Sequence, residues 1–140
     1  MKIRKLGSKI MIPLAVGMIL VGGVIPSFAN NHSDTGFKFT YTPRVQYTKG
    51  RAKTDYTSSW IKCDYMTPGW TACATVIAVD KEGNRRDVGS KTYGFKSGSG
   101  MYLTNFVKER GYSIAEIASN AIAMSSGSYL ARGVWSPDSI

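Results

Sequence analysis

The sequence has few of the residues on which most catalytic and metal sites depend. Its 140 residues include one histidine and two cysteines. A Ser/His/Asp or Cys/His mechanism needs a general base that the fold holds in place. The one histidine, His32, lies in a polar stretch that we expect to be a frayed chain end. Neither an H-E-x-x-H nor a G-x-S-x-G motif occurs. We therefore expect a protein that is not an enzyme and that holds no cofactor and no metal.

Long hydrophobic runs are also scarce, and the one that exists is near the N-terminus. Four basic residues precede an uncharged apolar run over residues 10–25. Ser27 and Ala29 then place small side chains at the positions that signal peptidase inspects. This pattern predicts a secretory signal peptide over residues 1–29, cleaved between Ala29 and Asn30. The run is shorter than the ~20 residues of a spanning helix. This favours a cleaved signal over an uncleaved anchor, with no transmembrane span after cleavage.

Acidic residues are few, nine against eighteen basic ones. The signal holds four of the basic residues, so residues 30–140 carry fourteen basic and nine acidic residues, a net charge of +5. That length predicts a single secreted β-rich domain with one modest core. A positively charged exported protein favours anionic cell-wall polymers or lipid-linked wall precursors as partners. The charge is not concentrated in one run, so we expect no nucleic acid partner. The sequence carries no signal for an oligomeric state.

Short alternating segments separated by turn residues make up the rest of the chain. Phe37 and Phe39 alternate with polar residues, which is typical of a strand. Counted in this way, about seven short strands predict an all-β fold, a small antiparallel β-sandwich. Residues 113–124 leave an alternative open. Ser113 and Glu116 fit a capping box and the apolar spacing fits a short helix, although a closing hairpin suits a sheet better.

The two cysteines flank a predicted turn at Thr67-Pro68-Gly69. Proline presets φ and glycine supplies a positive φ, so this tripeptide favours a tight reversal. In a hairpin with a three-residue loop, Cys63 lies opposite Cys73, both on the more apolar face. Exported proteins form disulfides readily, and we therefore expect a Cys63–Cys73 disulfide. Two buried thiols are the alternative.

A polar, basic loop precedes this predicted hairpin. Its candidates for contact with an anionic surface are Lys49, Arg51, Lys53, Tyr47 and Tyr56. The hypothesis is that the three cations bind phosphate-bearing envelope polymers, with the tyrosines adding amphipathic contacts. The alternative is a solvated connection with no partner.

Two terminal segments and one central turn support a family resemblance. The segments are NHSDTGFKF at residues 31–39 and GVWSPDSI at residues 133–140, and the turn is Gly98-Ser99-Gly100. With them the chain resembles a family of small secreted proteins of unknown function from Gram-positive bacteria. That family is distantly similar to lactococcin-type bacteriocins. The resemblance implies export and a β-rich mature part, and it supplies no catalytic residue.

Two functions follow as expectations from charge, export and resemblance. The first is a secreted, non-enzymatic, bacteriocin-like protein that acts at the cell envelope of competing bacteria. The second is a structural or adhesive surface protein that binds the cell wall of the organism that makes it. Both place the protein outside the cell and in contact with a wall.

Overall fold

The computed structural model describes residues 31–40, 44–123 and 128–139, and the regular structure in these ranges is β-strand. The predicted signal peptide, residues 1–29, and its cleavage site at Ala29–Asn30 lie outside the described residues. Within the described ranges, no helix is long and apolar enough to cross a membrane. The strands are β1 (Thr35–Thr40), β2 (Gln46–Tyr47), β3 (Arg51–Ala52), β4 (Ser59–Met66), β5 (Trp70–Val79), β6 (Arg85–Arg86), β7 (Thr92–Phe95), β8 (Gly100–Leu103), β9 (Ile114–Ala123) and β10 (Leu130–Ser136).

These strands form two antiparallel sheets in a sandwich-like arrangement. The first sheet has the order β1-β10-β4-β8. The second has the order β2-β9-β5-β6, with β3 also beside β9 and β7 also beside β5. The predicted all-β antiparallel fold is confirmed. The strand count exceeds the expected seven, and β2, β3 and β6 are pairings of only two residues each.

The core lies between the inner faces of the two sheets. Phe37 of β1 and Phe95 of β7 meet edge to face, with ring centroids 6.4 Å apart, so one aromatic contact joins the sheets. Such contacts add about 0.5–1.5 kcal/mol beyond the area that they bury. Further buried side chains of the first sheet are Phe39, Ile61, Leu103 and Trp135, and those of the second are Trp70, Val76, Ala115 and Ile117.

Residues 113–124, for which the sequence allows either a strand or a short helix, form strand β9 over Ile114–Ala123. β9 pairs with β5 from Trp70 opposite Ala123 to Ala78 opposite Ala115. This long ladder satisfies the backbone groups of both strands, while alternate β9 side chains such as Ile117 enter the core. The strand prediction is confirmed, and the helical alternative for residues 113–124 is wrong over residues 114–123.

The predicted cysteine hairpin is wrong. The chain does turn at Pro68 and Gly69, where Gly69 has a φ of 86°. The turn, however, carries the chain from one sheet to the other. β4 pairs with β10 and β8, whereas β5 pairs with β9, β6 and β7. The amide of Thr67 donates to the Leu130 carbonyl oxygen at 2.9 Å, which keeps the end of β4 in the first sheet.

This topology separates the two cysteines. Cys63 lies opposite Gly133 on the inner face of the first sheet and is fully buried, and burial raises the pKa of its thiol. Cys73 lies opposite Asn120 on the outer face of the second sheet and is half-buried. Both thiols are free. The cross-strand pairing on which the expected disulfide rested is therefore contradicted.

Candidate functional site

The first described residues are anchored to the end of the sandwich. The Asn31 amide donates to Asp138 Oδ2 at 2.6 Å. The Arg51 guanidinium donates to the Ser33 carbonyl oxygen at 2.7 Å and to Asn31 Oδ1 at 3.0 Å. These bonds hold His32 beside the C-terminal residues, so the expectation of a frayed end is wrong for residues 31–34.

An aromatic pair lies on the outer face of the first sheet. Trp60 of β4 is directly opposite Tyr102 of β8, and their ring centroids are 4.9 Å apart at an interplanar angle of 57°. Tyr102 is 58% exposed. A Cβ added at Gly100 would lie 3.2 Å from the Trp60 indole, so a glycine at this position leaves room for the ring. The pair therefore presents aromatic surface to solvent in a fixed orientation.

The anchored N-terminal residues and the aromatic pair form one open cleft of about 230 Å³. This volume is below the ~300–1,000 Å³ typical of sites for drug-sized ligands. It suits a single ring better than an extended molecule. The lining residues are His32, Asp34, Trp60, Tyr102, Ser136, Asp138 and Ser139.

The polar groups of the cleft differ in their availability. Asp138 and Ser136 are buried, and the Ser136 hydroxyl donates to the Asp138 carbonyl oxygen at 2.9 Å. The single proton of the Ser136 hydroxyl is used in this bond, so Ser136 does not donate to His32. His32 and Asp34 are exposed and can exchange hydrogen bonds with a ligand. Aromatic surface with a few polar groups at its edge is the usual composition of a small-molecule site.

Trp60 is the residue whose position in the sequence could have indicated this site. Trp70 is buried in the core, whereas Trp60 is not. In β4 the inward side chains are Ile61 and Cys63, and Trp60 shares the outward face with the exposed Lys62. Trp60 therefore lies on the polar face of an alternating strand, where it pairs with Tyr102 of β8 to give a contiguous exposed aromatic patch.

Two cations of the predicted anionic-surface contact are not available to a partner. Lys53 is 1% exposed, and its Nζ lies 2.7 Å from Asp138 Oδ1. Arg51 donates to the Trp135 carbonyl oxygen at 3.1 Å as well as to Asn31 and Ser33. Burial lowers the pKa of Arg51. Both side chains are engaged within the fold, so Lys49 is the one exposed cation of the three. The predicted contact with an anionic surface stays a prediction.

The other three predicted contact residues have different surroundings. Lys49 and Tyr56 are exposed, Tyr56 to 68%. Tyr47 is covered on one face by the Arg85 guanidinium, 3.7 Å from the ring centroid. Arg85 Nε in turn donates to Glu116 Oε1 at 2.6 Å, so Tyr47 belongs to a packed cation–π and ion-pair cluster.

A second depression, of about 310 Å³, lies on the other sheet and is lined in part by Thr71, Lys96 and Ile122. Its one aromatic residue, Phe95, is 3% exposed. The Trp60–Tyr102 cleft combines exposed aromatic rings with polar groups, and it is therefore the better candidate. In the described ranges, no three His, Cys, Asp or Glu residues are grouped so that they could hold a metal ion.

Fold and cleft together define a class: a small all-β protein of two antiparallel sheets with an aromatic cleft beside its anchored N-terminal residues. A family model described as "Protein of unknown function (DUF2712)" matches residues 25–139, and the chain belongs to this family. No curated protein and no solved structure matches the chain. The expectation of an uncharacterised family is confirmed. The resemblance to Gram-positive, lactococcin-type proteins stays a prediction.

Proposed function

We propose that the protein is exported and binds the bacterial cell envelope without catalysing a reaction, with one sugar ring held in the Trp60–Tyr102 cleft. The observation that carries this proposal is the tilted aromatic pair itself, with Tyr102 58% exposed beside a depression. One face of a pyranose ring presents C–H bonds, which pack well on an aromatic ring. Exposed aromatic surface of this kind is typical of ligand contact.

The remaining features of the cleft support a sugar over a purely apolar ligand. Sugar hydroxyls need hydrogen-bond partners, and the exposed side chains of His32 and Asp34 can supply them at the cleft edge. Anionic wall polymers and lipid-linked wall precursors carry both sugars and phosphates. The net charge of +5 on residues 30–140 would draw such polymers toward the protein.

The proposal has two versions, which differ in whose envelope is bound. In the bacteriocin-like version, supported by the lactococcin-type resemblance, the protein binds competing Gram-positive cells and impairs them. In the adhesive version it stays on the wall of the organism that makes it. A killing assay with purified mature protein separates them, because growth inhibition of other strains supports the first version. Retention on the producer's own wall without inhibition supports the second.

The test of the cleft uses isolated cell walls and two matched tyrosine variants. Tyr102→Ala removes half of the aromatic pair, and Tyr56→Ala removes an even more exposed tyrosine that does not line the cleft. Loss of a stacking contact worth about 0.5–1.5 kcal/mol corresponds to a weakening of about two- to tenfold. We expect that weakening for Tyr102→Ala and unchanged binding for Tyr56→Ala.

A salt series completes this experiment. Exposed charge contacts are screened at high salt, whereas stacking on Trp60 and Tyr102 is not. We expect that part of the binding persists at high salt in the unchanged protein and that this part is weaker in Tyr102→Ala. Equal binding by both variants throughout the series would remove the cleft from the mechanism.

A further inference from the structure

Lys53 and Asp138 form a buried pair at the end of the sandwich. Lys53 directly follows β3 and Asp138 follows β10, so the pair joins residues 85 positions apart. Lys53 Nζ lies 2.7 Å from Asp138 Oδ1, and the two side chains are 1% and 0% exposed. A buried ion pair of this kind gains little stability overall, because the desolvation of both charges offsets their attraction. Stability alone therefore does not explain why these two charged side chains are buried together.

The two oxygens of the Asp138 carboxyl group have different partners. Asp138 Oδ2 accepts hydrogen bonds from the Asn31 amide at 2.6 Å, the Thr54 amide at 3.1 Å and the Thr54 hydroxyl at 2.6 Å. Three donors on one carboxyl oxygen polarise the carbonyl group and stabilise negative charge that develops on that oxygen. The other oxygen, Oδ1, faces the lysine amine. The carboxyl group is thus held by one oxygen and approached by the amine from the side of the other.

A second carboxylate stands beside the amine. Asp55 Oδ1 is 3.5 Å from Lys53 Nζ. Burial raises the pKa of Asp55, but hydrogen bonds from Thr57 together with the charge of Lys53 outweigh that and lower it. An ionised carboxylate within reach of the amine can accept and return a proton. The Asp55 side chain is 32% exposed, which leaves a route to solvent.

We propose that Lys53 and Asp138 condense to an intramolecular isopeptide bond between Nζ and Cγ, with the loss of one water molecule. Transfer of a proton from the ammonium to Oδ1 first gives a neutral amine and a neutral carboxylic acid. The amine lone pair then attacks Cγ, and the carbonyl electrons move to Oδ2 between its three donors. Asp55 takes the second proton from Nζ and delivers it to Oδ1.

The final step breaks the bond from Cγ to Oδ1, and water leaves. Oδ2 becomes the amide oxygen and Nζ keeps one hydrogen, so the reaction is balanced without an oxidant or any co-reactant. The bond would tie the segment after β3 to the segment after β10. A covalent cross-link across so long a loop stabilises chiefly by restricting the unfolded chain, as a disulfide does, but reducing conditions do not break it. It would hold the cleft together in a protein whose two thiols are free.

The first test is the mass of the purified protein produced from the full chain. We expect a mass lower by one water molecule than the mass calculated from its observed N-terminus to Ile140. Tryptic digestion of the denatured protein should give residues 52–62 joined to residues 133–140, without cleavage after Lys53. The chain contains its own control, because Lys62 and Asp64 form a second Lys–Asp pair, 3.0 Å apart but 51% and 52% exposed. Lys62 should be cleaved normally.

Two variants test the roles of the groups. Asp55→Asn keeps both reacting residues and removes the proton acceptor, so this variant should retain its full mass while its circular dichroism stays that of the unchanged protein. Asp138→Asn should form the same amide with the loss of ammonia, and its product should have the same mass as the product of the unchanged chain. A full mass for the unchanged protein, with normal cleavage after Lys53, would overturn the proposal and leave a buried ion pair. That result does not depend on either variant or on envelope binding.

Discussion

Gly133 of β10 lies against the backbone of Lys62 in β4 so closely that no side chain fits between them. A Cβ added at Gly133 would be 1.9 Å from the Lys62 carbonyl oxygen and 2.9 Å from Cys63 Cα. The register of the β4–β10 pairing shifts at Arg132 and Gly133, which is the mark of a β-bulge. Glycine is therefore required here by contact between two backbones.

Gly133→Ala should destabilise the protein strongly. The strands must separate at the centre of the first sheet, and overpacking of this kind costs about 3 kcal/mol. Gly94→Ala in β7 is the matched control, because its added Cβ meets nothing within 4 Å. We expect the control to be neutral or more stable by about 0.5 kcal/mol. Urea unfolding of the two variants measures both values, and similar free energies of unfolding would contradict the contact.

The inward face of a strand could be predicted where apolar and polar residues alternate clearly. It could not be predicted where the two faces of the strand are similar. Phe37 and Phe39 in β1 stand out against polar neighbours, and both are buried. In β5 both faces are apolar or small, so the pattern could not show that Val76 points inward and Ile77 outward. The wrong choice of face placed Cys73 beside Cys63. The strands that pair with β4 and β5 are distant in the sequence. The turn residues at Gly69 therefore do not indicate which strands pair.

The candidate site was less predictable than the fold because it is built from distant segments. The cleft brings together His32, Trp60, Tyr102 and Asp138, which are far apart in the sequence. The sequence showed a basic loop, but it could not show that Lys53 is buried against Asp138. Charged residues are mostly solvent-exposed, so a buried lysine is not expected from the sequence unless an oppositely charged partner lies nearby in the chain. The partner of Lys53 is 85 residues away.

The two thiols should differ in reactivity. Cys73 is half-buried on an outer face, whereas Cys63 is fully buried and its pKa is raised by burial. Since the thiolate is the reactive form, a thiol reagent should label Cys73 in the folded protein and Cys63 only on unfolding. A Cys73→Ser variant should lose the fast phase of labelling. The absence of any reactive thiol in denatured, unreduced protein would instead show a disulfide.

Tyr129→Phe should stabilise the protein. Tyr129 is 3% exposed and packs on Trp70 with ring centroids 5.1 Å apart. In the described part of the chain its hydroxyl has no hydrogen-bond partner. Removing a buried, unsatisfied hydroxyl should raise the free energy of unfolding by about 1 kcal/mol. Tyr56→Phe is the control, because its residue is 68% exposed and the hydroxyl meets water. Chemical unfolding at neutral pH should show a gain for the first variant alone.

The same residue should make stability depend on alkaline pH. Burial, with a smaller contribution from Cys63, raises the pKa of Tyr129 from 10.0 to about 12. Between these values the unfolded chain has lost the proton and the folded chain keeps it, so the unfolded state binds fewer protons and stability falls as pH rises. The advantage of Tyr129→Phe over the unchanged protein should therefore grow above pH 10. A constant difference across that range would show that the hydroxyl is not desolvated.

Arg51→Lys should loosen the anchored N-terminal residues. The Arg51 guanidinium bonds to the Ser33 carbonyl oxygen, the Asn31 side chain and the Trp135 carbonyl oxygen at once. A lysine ammonium is a compact charge on a flexible stem and cannot reproduce that fork. With hydrogen bonds to charged groups worth about 1.5–3 kcal/mol each, we expect a loss of about 2 kcal/mol, since lysine keeps part of the interaction.

Lys49→Gln is the matched control for this loss, because Lys49 is an exposed cation two residues away. It should leave stability within about 0.5 kcal/mol of the unchanged protein. Hydrogen exchange measures how firmly the N-terminal residues are held. The backbone amides of residues 31–34 should exchange faster in Arg51→Lys and at an unchanged rate in Lys49→Gln. Because His32 and Asp34 line the cleft, Arg51→Lys should also weaken binding to cell walls under conditions in which the sandwich stays folded. Equal exchange in both variants would mean that other contacts, such as the Asn31–Asp138 hydrogen bond, hold the segment alone.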